Sequence, residues 1–300
     1  MDEVHVPQRD ADIVTRDGIR LSVRDKGNRN ARKTVVLLHG LCLSKDTWDT
    51  HGNFIASDGD TRVISYDHRG HGKSSSASIR TYTVEQLALD LAAVLEWAQP
   101  NGPVTLAGHS MGGMTILAYL GLHSTLRPVT PDNLLLVATA AGRIATRGIG
   151  SLLNLPFVSA LSSNVGMVPD KILDPLVRRV TSPVVTRLVK HVGYTEDRDG
   201  VQASSAAWSI NATPIRTKLG FINALRMFDA YHILPSITAR TIILSGGKDF
   251  LTPRAHADDI ASAIRGAKHI HFPENGHMLL HEVESIVTSH LLPQRELVAA

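Results

Sequence analysis

The sequence predicts an α/β protein, a mostly parallel sheet flanked by helices. Two observations predict it. Short aliphatic and β-branched runs alternate with longer segments whose apolar residues recur at helical spacing. The alternation breaks once, for a long stretch, and then resumes. In sheets of this kind the sites lie beyond the carboxyl ends of the strands. The residues that follow each run therefore carry the functional reading.

The elements follow in order. IRLSVRD (19–25) reads as part of an antiparallel edge ribbon. KTVVLLHG (33–40) is a buried strand, β-branched and closing on glycine, and TRVISYD (61–67) is a second. TVEQLALDLAAVLEWA (83–98) is a helix with Thr83 placed as its cap. GPVTLAG (102–108) is a strand, MGGMTILAYLGLH (111–123) a helix and DNLLLVATA (132–140) a strand. After the interruption, ARTIILSGG (239–247) is a strand, PRAHADDIASAIRG (253–266) a helix and AKHIHFPE (267–274) a strand. A last helix starts near Leu279.

The interruption holds Pro156, Pro169, Pro175, Pro183 and Pro214 between short helical patterns. Because the alternation resumes after it, it reads as an inserted helical cap. The predicted domains are a core over 1–142 and 229–300 and a cap over 143–228.

Composition narrows the function classes. The chain has 300 residues, 43% hydrophobic and 20% charged, the profile of a globular protein able to bury a large core. Net charge is +3 and interspersed, so no nucleic-acid footprint is present. The single cysteine, Cys42, rules out an intrachain disulfide framework. The N-terminus MDEVHVPQRD lacks a positive and then apolar signal, and no apolar run reaches the ~18 residues of a membrane span. The expectation is a cytoplasmic protein.

Gly108-His109-Ser110-Met111-Gly112 fits G-x-S-x-G. Five positions with two wildcards are weak alone, and an N-cap serine on an ordinary turn is the plain alternative. Here the motif follows a strand and opens a helix, as a nucleophile elbow requires. Asp249 stands just past the strand 241–245, and His277 just past the strand 268–272. A serine hydroxyl needs a base to take its proton, and a carboxylate holds the imidazole in the useful tautomer. Ser110 should then lie within about 2.6–3.2 Å of a His277 nitrogen, or somewhat looser. An acyl-transfer site also needs two oxyanion donors. The Met111 N–H is one, and the Leu41 N–H, in the loop after the first buried strand, is the other.

Several tempting residues carry less. Cys42 would need a base of its own, so it reads as a buried or pocket-lining thiol. GHGKS (70–74) lacks the earlier glycine of a P-loop, since that position is Asp67. Asp67 and Arg69 read as internal partners, and His39 as a brace for the oxyanion loop. His281 lies four residues after His277, but no third metal ligand suggests itself.

On LLHG with Trp48, YDHRGHGKS, AGHSMGG, GGKDFLTP and NGHMLLHE, the chain resembles the α/β-hydrolase superfamily. The likeness is nearest to its capped serine esterase, lipase and non-haem haloperoxidase-like branches. It implies the Ser110, Asp249, His277 order and a cap over the site. Ser110 departs from the epoxide hydrolases and haloalkane dehalogenases, which carry aspartate there.

The predicted function is a serine hydrolase that cleaves a lipophilic small-molecule carboxylic ester with an apolar acyl group, with no metal or organic cofactor. Cys42, Leu152, Leu155, Phe157 and Met278 are the expected pocket residues, beside Leu41 and Met111. The segment 143–228 carries a net +6, so weak contact of a basic cap face with a membrane surface is an expectation, against a solvated face as the plain reading. The same parts fit thioester hydrolysis, perhydrolysis, acyl transfer or C–C hydrolysis. A ligand-binding receptor on a hydrolase scaffold is the alternative from another class.

Overall fold

Eight strands form one sheet in a computed structural model, which describes residues 6–146 and 200–292. In chain order these are β1 (Gln8–Val14), β2 (Arg20–Lys26), β3 (Lys33–Leu38), β4 (Thr61–Tyr66), β5 (Val104–His109), β6 (Asn133–Val137), β7 (Arg240–Gly246) and β8 (Lys268–Phe272). Their spatial order is β1-β2-β4-β3-β5-β6-β7-β8. The first two strands are antiparallel to their neighbours, and β4, β3, β5, β6, β7 and β8 run parallel. The expected α/β architecture with an antiparallel edge is therefore present.

The helices among the described residues are α1 (Asp49–Ala56), α2 (Val84–Ala98), α3 (Met111–Gly121), α4 (Val201–Ala212), α5 (Ile215–Met227), α6 (Arg254–Ala263), α7 (Leu279–Glu282) and α8 (Glu284–Leu291). Thr83 caps α2 as expected, its side chain accepting the Gln86 N–H. None of these helices is long and apolar enough to cross a membrane.

Burial explains the sheet. Every residue of β4 and β5 is buried, and β3 and β6 are buried beyond their first residue. One face packs Val36, Leu38, Leu106 and Leu136 under α2 and α3, with Leu87, Leu91 and Ile116. The other packs Val35, Leu37, Ala107 and Leu135 under α1 and α8, with Ile55, Val287 and Leu291. Each such aliphatic side chain contributes about 1.5–3 kcal/mol by leaving water.

Register sets the site. Leu38 pairs with Gly108, His109 with Val137, Val137 with Leu244, and Gly246 with Phe272. The carboxyl ends of β3, β5, β6, β7 and β8 are level. The loops that follow them meet along one edge.

The described ends of the stretch between β6 and β7 meet at one point. Gly142 and Asp229 form an antiparallel bridge, the Ala230 N–H donates to the Ala141 carbonyl at 2.7 Å, and Arg143 pairs with Asp229 at 3.1 Å. A side chain at Gly142 would press on the Phe228 carbonyl, 2.6 Å away.

Candidate active site

Ser110 sits between β5 and α3 with φ 52° and ψ −117°, a conformation that costs about 1–3 kcal/mol in a non-glycine residue. Its surroundings hold it there. The Ser110 N–H donates to the Val137 carbonyl at 2.9 Å. The Ser110 carbonyl accepts the Thr139 hydroxyl at 2.7 Å and the Gly113 N–H at 2.9 Å. The motif glycines are needed because the backbone closes on itself. A side chain at Gly108 would run into the Gly112 carbonyl, and one at Gly112 into the Leu38 carbonyl. One at Gly113 would meet the Thr139 side chain at 2.6 Å.

Asp249 and His277 come together as expected. The His277 Nδ1–H donates to Asp249 Oδ2 at 2.8 Å, and both side chains are buried. Asp249 is held on every side. Oδ1 accepts the Leu251 and Thr252 N–H groups at 2.8 and 2.9 Å, and Oδ2 also accepts the Thr252 hydroxyl at 2.7 Å. Burial pushes this carboxyl up. The charge of His277 and the hydrogen bonds from His277 and Thr252 outweigh it and hold the group at about 2.

The loops that carry Asp249 and His277 are zipped together. The Lys248 N–H donates to the Asn275 carbonyl at 2.9 Å, and the Gly247 N–H to the Phe272 carbonyl at 2.8 Å. Gly246 and Gly247 lie so close to Gly276 and Pro273 that no side chain fits at either. The Gly276 N–H is in turn held by Glu282 at 2.6 Å.

Two contacts tie the elbow to these loops. The His109 Nε2–H donates to the His277 carbonyl at 3.0 Å, and the two rings stand 4.9 Å apart. A Cβ at Gly40 would lie 2.8 Å from His109 Nδ1 and 3.2 Å from the Ser110 Cβ. His109 is thus a wedge between the Gly40 loop and His277. Among the described residues no hydrogen bond joins Ser110 to His277. Such bonds are often long before substrate binds and tighten in the Michaelis complex.

The two expected oxyanion donors are unspent. Neither the Leu41 nor the Met111 N–H donates to any acceptor among the described residues. The helix that begins at Met111 adds its positive N-terminal potential. His39 braces the loop, as expected. Its Nε2 accepts the His68 N–H at 3.0 Å, so its Nδ1 carries the proton and donates to the Gly40 carbonyl at 2.7 Å. Gly40 C=O and Leu41 N–H belong to one planar trans peptide, so fixing the carbonyl aims the amide the opposite way.

The pocket expectations divide. Met278 is buried with Leu43 of the oxyanion loop and Ala203 and Ala206 of α4. Cys42 is buried beside Thr213 and Lys218, and burial pushes its thiol up to about 12, so it is no thiolate nucleophile. Leu41 is half-buried. Met111 is wholly buried in the main core, which leaves its backbone for the site. Leu152, Leu155 and Phe157 lie outside the described residues. His281 is half-buried on α7, and burial lowers its pKa.

Asp67 and Arg69 pair internally, though not with each other. Asp67 takes Lys45 at 2.6 Å, and Arg69 takes Asp90 at 2.6 Å and Asp17 at 2.8 Å. Sequence reasoning missed Thr252, His71 and the contacts of His109. Thr252 had a signal, a hydroxyl three residues beyond Asp249, where side-chain and backbone donors both reach back.

A model of the alpha/beta hydrolase fold matches residues 33–283. A bifunctional esterase/perhydrolase of Acinetobacter calcoaceticus is 35% identical over 108 residues, 36% of this chain and 38% of that protein's length. A non-heme chloroperoxidase of Burkholderia pyrrocinia is 27% identical over 263 residues, 82% of this chain and 84% of that one. Among solved structures, an esterase of Exiguobacterium antarcticum superposes with a TM-score of 0.76 at 24% identity, covering 94% of this chain and 97% of that one. This last likeness is one of fold.

Proposed function

Because the chain belongs to the alpha/beta hydrolase fold family, we propose that it is a serine-dependent carboxylic-ester hydrolase working through an acyl-enzyme. His277 takes the Ser110 proton as the hydroxyl oxygen attacks the ester carbonyl. The carbonyl π electrons move onto oxygen, where the Leu41 and Met111 N–H groups receive the charge. Each such donor contributes about 2.7–4 kcal/mol to lowering the barrier. The intermediate collapses, the C–O bond to the alcohol breaks, and His277 returns the proton to that oxygen. Water, deprotonated by His277, then releases the acid and restores Ser110. Asp249 orients the imidazole and stabilises its cation throughout.

What carries this reading is one juxtaposition. A strained Ser110 stands against the oxyanion glycine, Gly40, while its neighbour His109 touches a His277 already bonded to Asp249. A serine cap on an ordinary turn needs none of these partners.

The segment 143–228 serves as the cap in this reading. Its last third holds α4 and α5: Ala203 and Ala206 of α4 pack on Leu43 and Met278, and Thr213 and Lys218 lie beside Cys42. In this reading Met278 and Cys42 would help to wall the acyl pocket. Its basic outer face would give at most weak membrane-surface contact.

The test is hydrolysis of p-nitrophenyl esters from acetate to palmitate by the wild type and Ser110→Ala. Activity that peaks at medium or long chains and disappears in the variant is the expected result. Activity that survives in Ser110→Ala overturns the mechanism. A second reading rests on the two relatives whose names include perhydrolase and chloroperoxidase. In it, hydrogen peroxide replaces water on the acyl-enzyme and a peracid leaves. Peracid formation from acetate and peroxide by the wild type, absent in Ser110→Ala, would favour it.

A further inference from the structure

The stretch Asp67–Ser74 enters no step of the proposed reaction, yet it carries the oxyanion loop. Asp67 accepts the Lys45 N–H at 2.8 Å and the Lys73 N–H at 2.9 Å. The His68 N–H and Nε2–H both reach His39, at its Nε2 and its carbonyl. His71 reaches furthest into the loop. Its Nε2 accepts the Cys42 N–H at 3.1 Å, so its Nδ1 bears the proton and donates to the Arg69 carbonyl at 3.0 Å.

Gly40–Leu43 is a tight turn, closed by the Leu43 N–H donating to the Gly40 carbonyl at 3.2 Å. Cys42 occupies its third position with φ 63°, where glycine or asparagine is usual. A cysteine there is strained and needs an external hold. His71 is wholly buried, packed against His39 and against Phe221 of α5, with ring centres 5.2 and 5.6 Å away. Burial pushes its pKa down to about 3, so Nε2 remains an acceptor at any working pH.

We propose that His71 is a positioning residue of the oxyanion hole: by accepting the Cys42 N–H it holds the left-handed turn that leaves the Leu41 N–H free beside Ser110. His39 fixes the Gly40–Leu41 peptide and His71 fixes the next one. Two consecutive peptide planes then have no freedom to rotate the donor away. The imidazole touches no reacting atom; it acts through the turn.

This rests on the proposed Ser110 chemistry, so the test separates the two. Glutamine places an acceptor near where Nε2 stands, whereas asparagine reaches only the Nδ1 position and phenylalanine keeps the ring without an acceptor. Wild type, His71→Gln, His71→Asn and His71→Phe are compared for p-nitrophenyl butyrate kinetics. They are also compared for the rate of Ser110 labelling by a fluorophosphonate, in which a serine O–P bond forms and fluoride leaves. The expected result is a fall of about 10²-fold in kcat for His71→Asn and His71→Phe. KM stays nearly constant, labelling slows in parallel, and His71→Gln remains close to wild type. A purely structural role would lower all three variants alike, or raise KM instead, and would overturn the proposal. So would wild-type rates in the two non-accepting variants. A wild type that neither turns over nor labels overturns the hydrolase reading, and this inference with it.

Discussion

Replacing Asp249 by asparagine is the most discriminating change at the site, because the structure dictates how the amide must sit. Oδ1 receives two backbone N–H groups, from Leu251 and Thr252. An amide nitrogen cannot accept these bonds, so the asparagine oxygen must take that position. Its NH2 then faces His277 Nδ1, where Oδ2 stood at 2.8 Å. A donor facing Nδ1 forces the imidazole proton onto the other nitrogen. In the proposed mechanism that nitrogen takes the Ser110 proton. The geometry survives while the tautomer is wrong, and the loss expected for that error is about 10⁴-fold in kcat. It corresponds to about 5.5 kcal/mol of barrier. The assay is kcat and kcat/KM on p-nitrophenyl acetate for the wild type and Asp249→Asn, with the unfolding midpoint measured alongside. A fall of less than about tenfold in a folded variant would refute the reasoning. It would mean that Asp249 does not set the tautomer of the reacting histidine.

Four further outcomes follow from the same contacts. The Asp249 carboxyl lies at about 2 in the fold against an ordinary 3.8, so the unfolded chain binds its proton more tightly. The stability it contributes, about 2 kcal/mol, is present above pH ~3.8 and is lost as pH falls toward 2; urea unfolding from pH 2 to 5 should show this slope in the wild type and not in Asp249→Asn. Lys45→Met leaves Asp67 buried without its cation, and urea melts should read a loss of about 3–5 kcal/mol; an unchanged midpoint would show that the two backbone donors to Asp67 suffice. Gly112→Ala drives a methyl into the Leu38 carbonyl and should cost at least about 1–3 kcal/mol, read by the same melts, with the elbow displaced and activity reduced. His109→Gln keeps a donor for the His277 carbonyl and should retain activity, whereas His109→Phe should lower kcat about tenfold or more, by displacing the base; equal kcat in the two variants would remove His109 from the positioning of His277.

Motif and order made the parallel strands legible, and they put the candidates Ser110, Asp249 and His277 beyond the ends of β5, β7 and β8. Apolar runs such as VVLL and LLLV can be buried only one way in a sheet covered on both faces. What escaped was whatever depends on a distant partner. β1 has a single buried residue, Ile13, so its polar sequence shows no apolar alternation; it is a strand because all seven of its residues pair with β2. α1 contains Gly52 and starts on a polar run. It is held by a buried His51, which meets Thr288 at 2.7 Å and the Leu280 carbonyl at 3.0 Å, more than 200 residues away. Thr252, His71 and His109 are likewise ordinary residue types whose roles exist only once the loops are brought level. Helix and strand periods report burial, and hydrogen-bond partners across the fold leave no such period.

Backbone strain offers an independent route to the same site. Among the described residues, five that are not glycine have positive φ: Cys42, Gln99, Ser110, Ala138 and Arg143. Gln99 is the left-handed end of α2, and Arg143 lies beside Phe228, its N–H donating to that carbonyl. The other three follow β3, β5 and β6 at the carboxyl edge of the sheet. Their hold is common in kind. The Ser110 N–H extends the β5–β6 pairing by one rung to Val137, and the Ala138 N–H extends β6–β7 to Leu244, each at 2.9 Å. Cys42 has no neighbouring strand to borrow from and uses His71 in its place. A fold under no functional demand would relax such residues, because each costs about 1–3 kcal/mol and the sheet does not need them. Three together stand at the sheet edge that also carries Ser110, the Leu41 and Met111 amides and the Asp249–His277 pair, which is where the proposed reaction needs them.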